Sequence, residues 1–162
     1  MMPSVTLWRP VGAYELRLIV RASFRAFPPR LPEQPIFYPV CNEAYAIDIA
    51  RAWNLDDASS GFAGFVTRFD VALEVVARYQ RQIVGGGRHE ELWIPAAELA
   101  AFCEAFVAPI AVTHGWLGAR FPELAEWQEP VGELVGERLT RAVELIASGE
   151  LLGGPRTLRA GG

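Results

Sequence analysis

Four prolines within eight residues, Pro28, Pro29, Pro32 and Pro35, set the hardest limit on how this chain can fold. Each lacks an amide donor and fixes its own φ, so neither a helix nor a sheet ladder can run through the stretch. A short N-terminal unit is thereby separated from all that follows. In it, Val5-Thr6-Leu7-Trp8 reads as a strand that ends in a turn at Arg9-Pro10-Val11-Gly12. Residues 13–22 then carry Leu16, Ile19 and Val20 at helical spacing, with Arg17 and Arg21 one turn apart on another, solvated face.

Beyond the prolines, Ile36-Phe37-Tyr38 is the next strand. Asn42 caps a helix to about Trp53, with Glu43 near its positive end and Ala46, Ile47, Ala50 and Trp53 as its apolar stripe. Residues 61–71 are aromatic and β-branched and read as a strand, followed by a short helix over 73–78. Residues 79–84 and 91–94 flank Gly85-Gly86-Gly87 and read as paired or neighbouring strands. Pro95 suits the first position of a helix whose buried face is Leu99, Phe102, Cys103 and Phe106. Residues 109–113 make a last strand. Residues 133–147 form an amphipathic helix, with Leu134, Val135, Leu139, Ala142, Val143 and Ile146 opposite Glu137, Arg141 and Glu144. The class is therefore α+β. Residues 1–118 form the main domain. Residues 119–150 form a helical extension that packs on it or on a partner, a homodimer through 133–147 included. Residues 151–162 are expected to be a disordered tail.

Composition narrows the function classes. A chain of 162 residues, 51 % hydrophobic and 21 % charged, can bury one core without staples. Its net charge of −4 argues against broad electrostatic binding to nucleic acid. There is no apolar run near the roughly 20 residues that span a bilayer, and no basic leader, so a cytoplasmic location without membrane attachment is expected. All fifteen basic residues are arginine, the mark of a GC-rich, bacterial codon usage. Cys41 and Cys103 read as small core residues rather than a disulfide. His89 and His114 lack the spacing of a zinc site, and no Walker phosphate loop or nucleophile elbow is present.

The residues that can carry chemistry lie far apart in sequence. Glu91 opens a buried strand after a glycine turn, where a fixed carboxylate could bond a ribose hydroxyl and stabilise charge developing at an anomeric carbon. The bland alternative is that Glu90 and Glu91 are a solvated pair at a hairpin edge. Arg9 could clamp a pyrophosphate with its paired donors, or be a surface arginine. Gly86, within the triple glycine, could cradle phosphate or simply connect a hairpin. Tyr38, Trp53 and Trp93 could stack on a nucleobase or pack in the core.

In this order the residues resemble the ADP-ribosyltransferase superfamily over about residues 5–114. There a first-strand arginine or histidine contacts NAD, a second-strand motif supports the nicotinamide pocket, and a late strand carries a catalytic glutamate after a loop. Leu7-Trp8-Arg9 resembles the first element, Ile36-Phe37-Tyr38-Pro39-Val40 the second, and Glu91-Leu92-Trp93-Ile94-Pro95 the third. The wider text is also similar to small bacterial proteins labelled ADP-ribosylation/crystallin-type. The resemblance implies a split mixed sheet with flanking helices, and NAD as substrate. Its nicotinamide–ribose bond would be cleaved and ADP-ribose transferred to an acceptor. Arg9 would hold the phosphates, with Gly86 beside them, and Tyr38 would line the nicotinamide pocket. Glu91 would position the ribose and His89 would face the acceptor. Tyr38-Pro39-Val40 departs from the Ser-Thr-Ser of one branch, and His89 stands where protein-modifying members carry glutamine or glutamate. A catalytically degenerate binding or interaction module on the same fold is the alternative.

Overall fold

Large apolar side chains on both faces of one strand need cover on both sides, and the chain supplies it with helices. The computed structural model of the protein describes residues 3–85, 89–122 and 132–152. In chain order its elements are β1 (Ser4–Gly12), α1 (Ala13–Arg21), β2 (Ile36–Phe37), α2 (Glu43–Ala52), β3 (Ala63–Ala72), α3 (Leu73–Val76), β4 (Gln82–Ile83), β5 (Glu90–Glu91), β6 (Ile94–Pro95), α4 (Leu99–Glu104), β7 (Ala111–Leu117), β8 (Gly132–Leu134) and α5 (Glu137–Ser148). The main sheet has the order β1-β3-β7-β8, and β2-β6 and β4-β5 are two-stranded ladders.

Leu7 stands opposite Phe69 and Val11 opposite Phe65, and these four point into the larger core with Leu16 and Ile19 of α1, Phe102 of α4 and Ile146 of α5. The alternate residue Val66 faces the other way, into a smaller cluster with Val40, Trp116 and Ala46 and Ala50 of α2. Gly64 lets α2 seat closely on β3, because a Cβ there would lie 2.5 Å from the Ala50 carbonyl oxygen. Asn42 caps α2 as its sequence predicts, accepting from the Tyr45 amide at 2.7 Å.

Several expectations are corrected. Every described ladder is antiparallel, so the sheet is not mixed; in each pairing the second strand returns in the opposite direction and no parallel crossover is built. Residues 9–12 are strand, not turn. Pro10 is tolerated because β1 is an outer strand of its four-stranded sheet, where a missing amide breaks no ladder bond. Pro95 pairs with Ile36 in a strand, and α4 begins only at Leu99. The last predicted strand is longer, Ala111–Leu117.

The C-terminal segment is corrected too. Residues 132–134 pair with the open edge of β7, so the helix starts only after Gly136, whose φ of 56° breaks the helical path. Ala142, Val143 and Ile146 are buried against the protein's own core beside α1. Leu134, Ala142, Val143 and Ile146 of the stripe thus pack on the protein's own domain, while Val135 stays 57 % exposed. Leu151 and Leu152 belong to the core rather than to a tail, while residues 153–162 lie outside the described residues. Arg17, expected on a solvated face, is 2 % exposed and donates to the carbonyls of Ile146 and Leu151 at 2.7 and 3.0 Å. It fastens α1 to the negative end of α5, where a cation is favoured.

Candidate functional site

Three stretches of main chain lie side by side at one end of the sheet. Trp8 of β1 and Val40 exchange amide-to-carbonyl bonds at 3.0 and 2.7 Å. Val40 in turn bridges Glu91, flanked by Cys41 N–H to Glu90 O and Leu92 N–H to Pro39 O, both 2.9 Å. The 32-residue separation of positions 8 and 40, and the 51 between 40 and 91, vanish through this one-residue strand. On that edge the bridges end at Trp8. Past it, residues 9–12 of β1 part from Tyr38 and Trp93, and a cleft of about 540 Å³ opens between them.

Arg9, Tyr38 and Glu91 all line this cleft. Strand alternation sets Arg9 toward α1 and Glu91 toward α2, as their partners Glu15 and Tyr45 confirm. Both reach one space only because the sheet is open there.

Glu91 is 8 % exposed, and each of its oxygens has a donor: Trp93 Nε1 reaches Oε1 at 2.8 Å, and Tyr45 OH reaches Oε2 at 3.3 Å. The solvated-pair alternative therefore fails for Glu91. It describes Glu90 better, since that carboxylate makes an exposed ion pair with Arg81 at 3.2 Å. Burial first, then the Glu91 charge and the hydrogen bond to it, hold the Tyr45 phenol above its ordinary pKa, so Tyr45 is the donor.

Arg9 is nearly as buried, and its guanidinium is engaged. Nε and Nη2 donate to Glu15 at 2.7 and 2.9 Å, while the cation lies 4.7 Å from the centre of the Phe37 ring. Tyr38 is 40 % exposed and meets Trp93 edge-on at 6.4 Å. Trp53, expected in the apolar stripe of α2, follows the end of that helix and stands 73 % exposed on the cleft wall. His89 does not line the cleft; its ring stacks on Tyr45 at 4.4 Å, behind the residue that holds Glu91. Gly86 lies outside the described residues.

Sequence reasoning missed Arg30, Gln34, Asn54 and Asp57 on the same walls. Arg30 carried one signal: an arginine locked between prolines is held in place by its own backbone. Asn54 and Asp57 carried none, because their placement depends on the short turns after α2. Asp57 there accepts from Ser59 and Ser60.

A second cavity of about 560 Å³ is lined mainly by carbon, including Leu99, Ala100 and Phe106. Its Cys103 thiol is pushed up by burial, against a weaker pull from the Phe27 backbone, and is a poor nucleophile. Convergent polar groups single out the first cleft. No family model, curated protein or solved structure matches the chain. Among the described residues no helix is long and apolar enough to cross a membrane.

Proposed function

We propose that the cleft binds NAD, that the protein cleaves the nicotinamide–ribose bond, and that ADP-ribose passes to an acceptor. The observation that carries this reading is a buried carboxylate, Glu91, fixed at both oxygens and opening on the same cleft as the exposed ring of Tyr38. In the reaction the bond from the anomeric carbon to the nicotinamide nitrogen breaks. Its electron pair leaves with nicotinamide, which becomes neutral, and positive charge moves to the ribose. A carboxylate held beside that carbon stabilises the charge without having to reorganise. Trp93 and Tyr45 are positioning residues for it. An acceptor nucleophile, or water, then attacks the anomeric carbon and gives up its proton.

The test is nicotinamide release from NAD by the pure protein beside a Glu91→Gln variant. Loss of a preorganised transition-state contact predicts a fall of about 10²–10³ in rate with NAD binding retained. A wild-type protein that neither releases nicotinamide nor shifts its melting temperature with NAD would end this reading.

One observation favours a second reading, a binding module without catalysis. The arginine expected to hold phosphates is already paired with Glu15. NAD binding with no release, equal in wild type and Glu91→Gln, is the outcome that reading predicts.

A further inference from the structure

We infer that Arg30, not Arg9, receives a diphosphate group in this cleft. The identity of the whole ligand rests on the NAD reading above; the anion subsite rests on local chemistry. Two guanidinium groups, Arg9 and Arg30, line the cleft, and Glu15 pairs with only one of them, Arg9. Glu15 takes two bonds from Arg9, and this pair is neutral as a unit.

Arg30 is half-buried and, among the described residues, has no carboxylate within ion-pair distance. Its Nε donates to the Ile36 carbonyl at 3.0 Å, and its Nη2 meets the Gln34 side-chain oxygen at 3.3 Å. Both acceptors are uncharged, so one positive charge is left over. Burial lowers the Arg30 pKa first and the nearby Arg9 cation second, while Glu15 and Tyr38 act in the other direction. A half-desolvated cation without a charged partner is stabilised when an anion arrives.

The remaining geometry fits a phosphoryl group. Pro28, Pro29 and Pro32 restrict the backbone around Arg30, and two hydrogen bonds hold its Nε and Nη2, so little side-chain freedom is lost on binding. Nη1 stays outside both bonds, and phosphoryl oxygens are strong acceptors for such a donor. Two further carboxylates line the cleft; both keep their charge, since their donors are neutral, and neither forms an ion pair with Arg30. Asp57 accepts from Ser59 and Ser60, and Glu91 from Trp93 and Tyr45. The cleft thus holds both a cation without a charged partner and a fixed carboxylate. A ligand with a diphosphate and a cationic ring has the complementary pattern.

Calorimetric titration of wild type, Arg30→Gln and Arg30→Lys with ADP-ribose, inorganic pyrophosphate and nicotinamide tests this. Arg30→Gln should weaken ADP-ribose and pyrophosphate by about tenfold or more, the usual worth of a charge-assisted bond. Arg30→Lys should restore part of the loss, and nicotinamide binding should not change. Equal affinity for pyrophosphate and ADP-ribose in wild type and Arg30→Gln would overturn the subsite, as would a parallel loss of nicotinamide. A wild type that binds neither phosphate compound would also overturn it. Pyrophosphate binding that depends on Arg30, in a protein that releases no nicotinamide, supports the subsite and rejects the cleavage reading instead.

Discussion

Where α1 meets α5, the Arg17 guanidinium is 2 % exposed and donates to two main-chain carbonyls of the C-terminal segment. In the cleft, Arg30 is half-buried, has only neutral acceptors, and shares a wall with the exposed rings of Tyr38 and Trp53. The same side-chain chemistry closes one region and leaves the other open. At the seam the guanidinium completes contacts that the fold needs, so removing it leaves buried carbonyls without their bonds. In the cleft the apolar rings are left in water, at a cost the fold accepts without an evident structural return. The proposed ligand site rests on that contrast rather than on any single residue.

Arg9 lies between these regions and can break the comparison, because it lines the cleft but is bonded like a seam residue. Arg9→Met leaves Glu15, only 3 % exposed, buried without its partner, and should cost about 3–5 kcal/mol of stability in urea unfolding. The double variant Arg9→Met/Glu15→Leu should recover most of that loss, since no charge is then stranded. If the double variant is as unstable as the single one, the pair is not the isolated unit described. Arg17→Met removes two charge-assisted bonds and should cost about 3 kcal/mol or more, with no change in NAD affinity for whatever protein remains folded. A loss below about 1 kcal/mol would mean that the seam relaxes and that the contrast is weaker than it looks.

Much of this division is legible in the sequence, though unevenly. Asn42 as a helix cap, the aromatic and β-branched strand β3 and the paired strands around the triple glycine all follow from local chemistry, and the structure has them. Arg17 was misread because helical spacing shows which residues share a face but not what lies on top of that face; its cover, α5, is 120 residues away. Glu91 was legible as a rigid carboxylate, but its donors Tyr45 and Trp93 were not. Tyr45 reaches it only because Val40 sets that stretch between β1 and β5. Leu134 and Val135 fit a helical stripe and a strand equally well, and the open edge of β7 decided for the strand at Leu134. Tertiary pairing settled what the periodicity left open.

Trp53 gives the comparison its sharpest form. At 73 % exposure it contributes little to the core, so Trp53→Ala should change unfolding free energy by no more than about 0.5 kcal/mol. If the ring stacks on a base of the ligand, the same change should weaken NAD binding by about 1 kcal/mol or more, roughly fivefold at the least. Loss of binding without loss of stability is the reverse of what Arg17→Met should show. Unchanged binding would remove Trp53 from the site while leaving Glu91 and Arg30 in it.

The smallest effect concerns the bond between Tyr45 and Glu91, the longest of those that hold the carboxylate. An ordinary tyrosine titrates near 10. In the folded protein burial raises the Tyr45 value, and the Glu91 charge and hydrogen bond raise it further. The fold therefore favours the neutral phenol. Its contribution to stability is complete below about pH 10 and is lost as the pH climbs through the raised value. Tyr45→Phe should accordingly be less stable than wild type at neutral pH, by a margin that narrows in strong alkali. Ring-carbon resonances, assigned by their loss in that variant, would follow the titration itself. They must be distinguished from those of Tyr79, whose phenol is pushed up to about 12 by burial and by its bond to Glu98. Glu91→Gln should bring the Tyr45 midpoint part of the way back, leaving only the share due to burial. If the midpoint stays where it was, the hydroxyl does not bond this carboxylate, and Trp93 alone positions it.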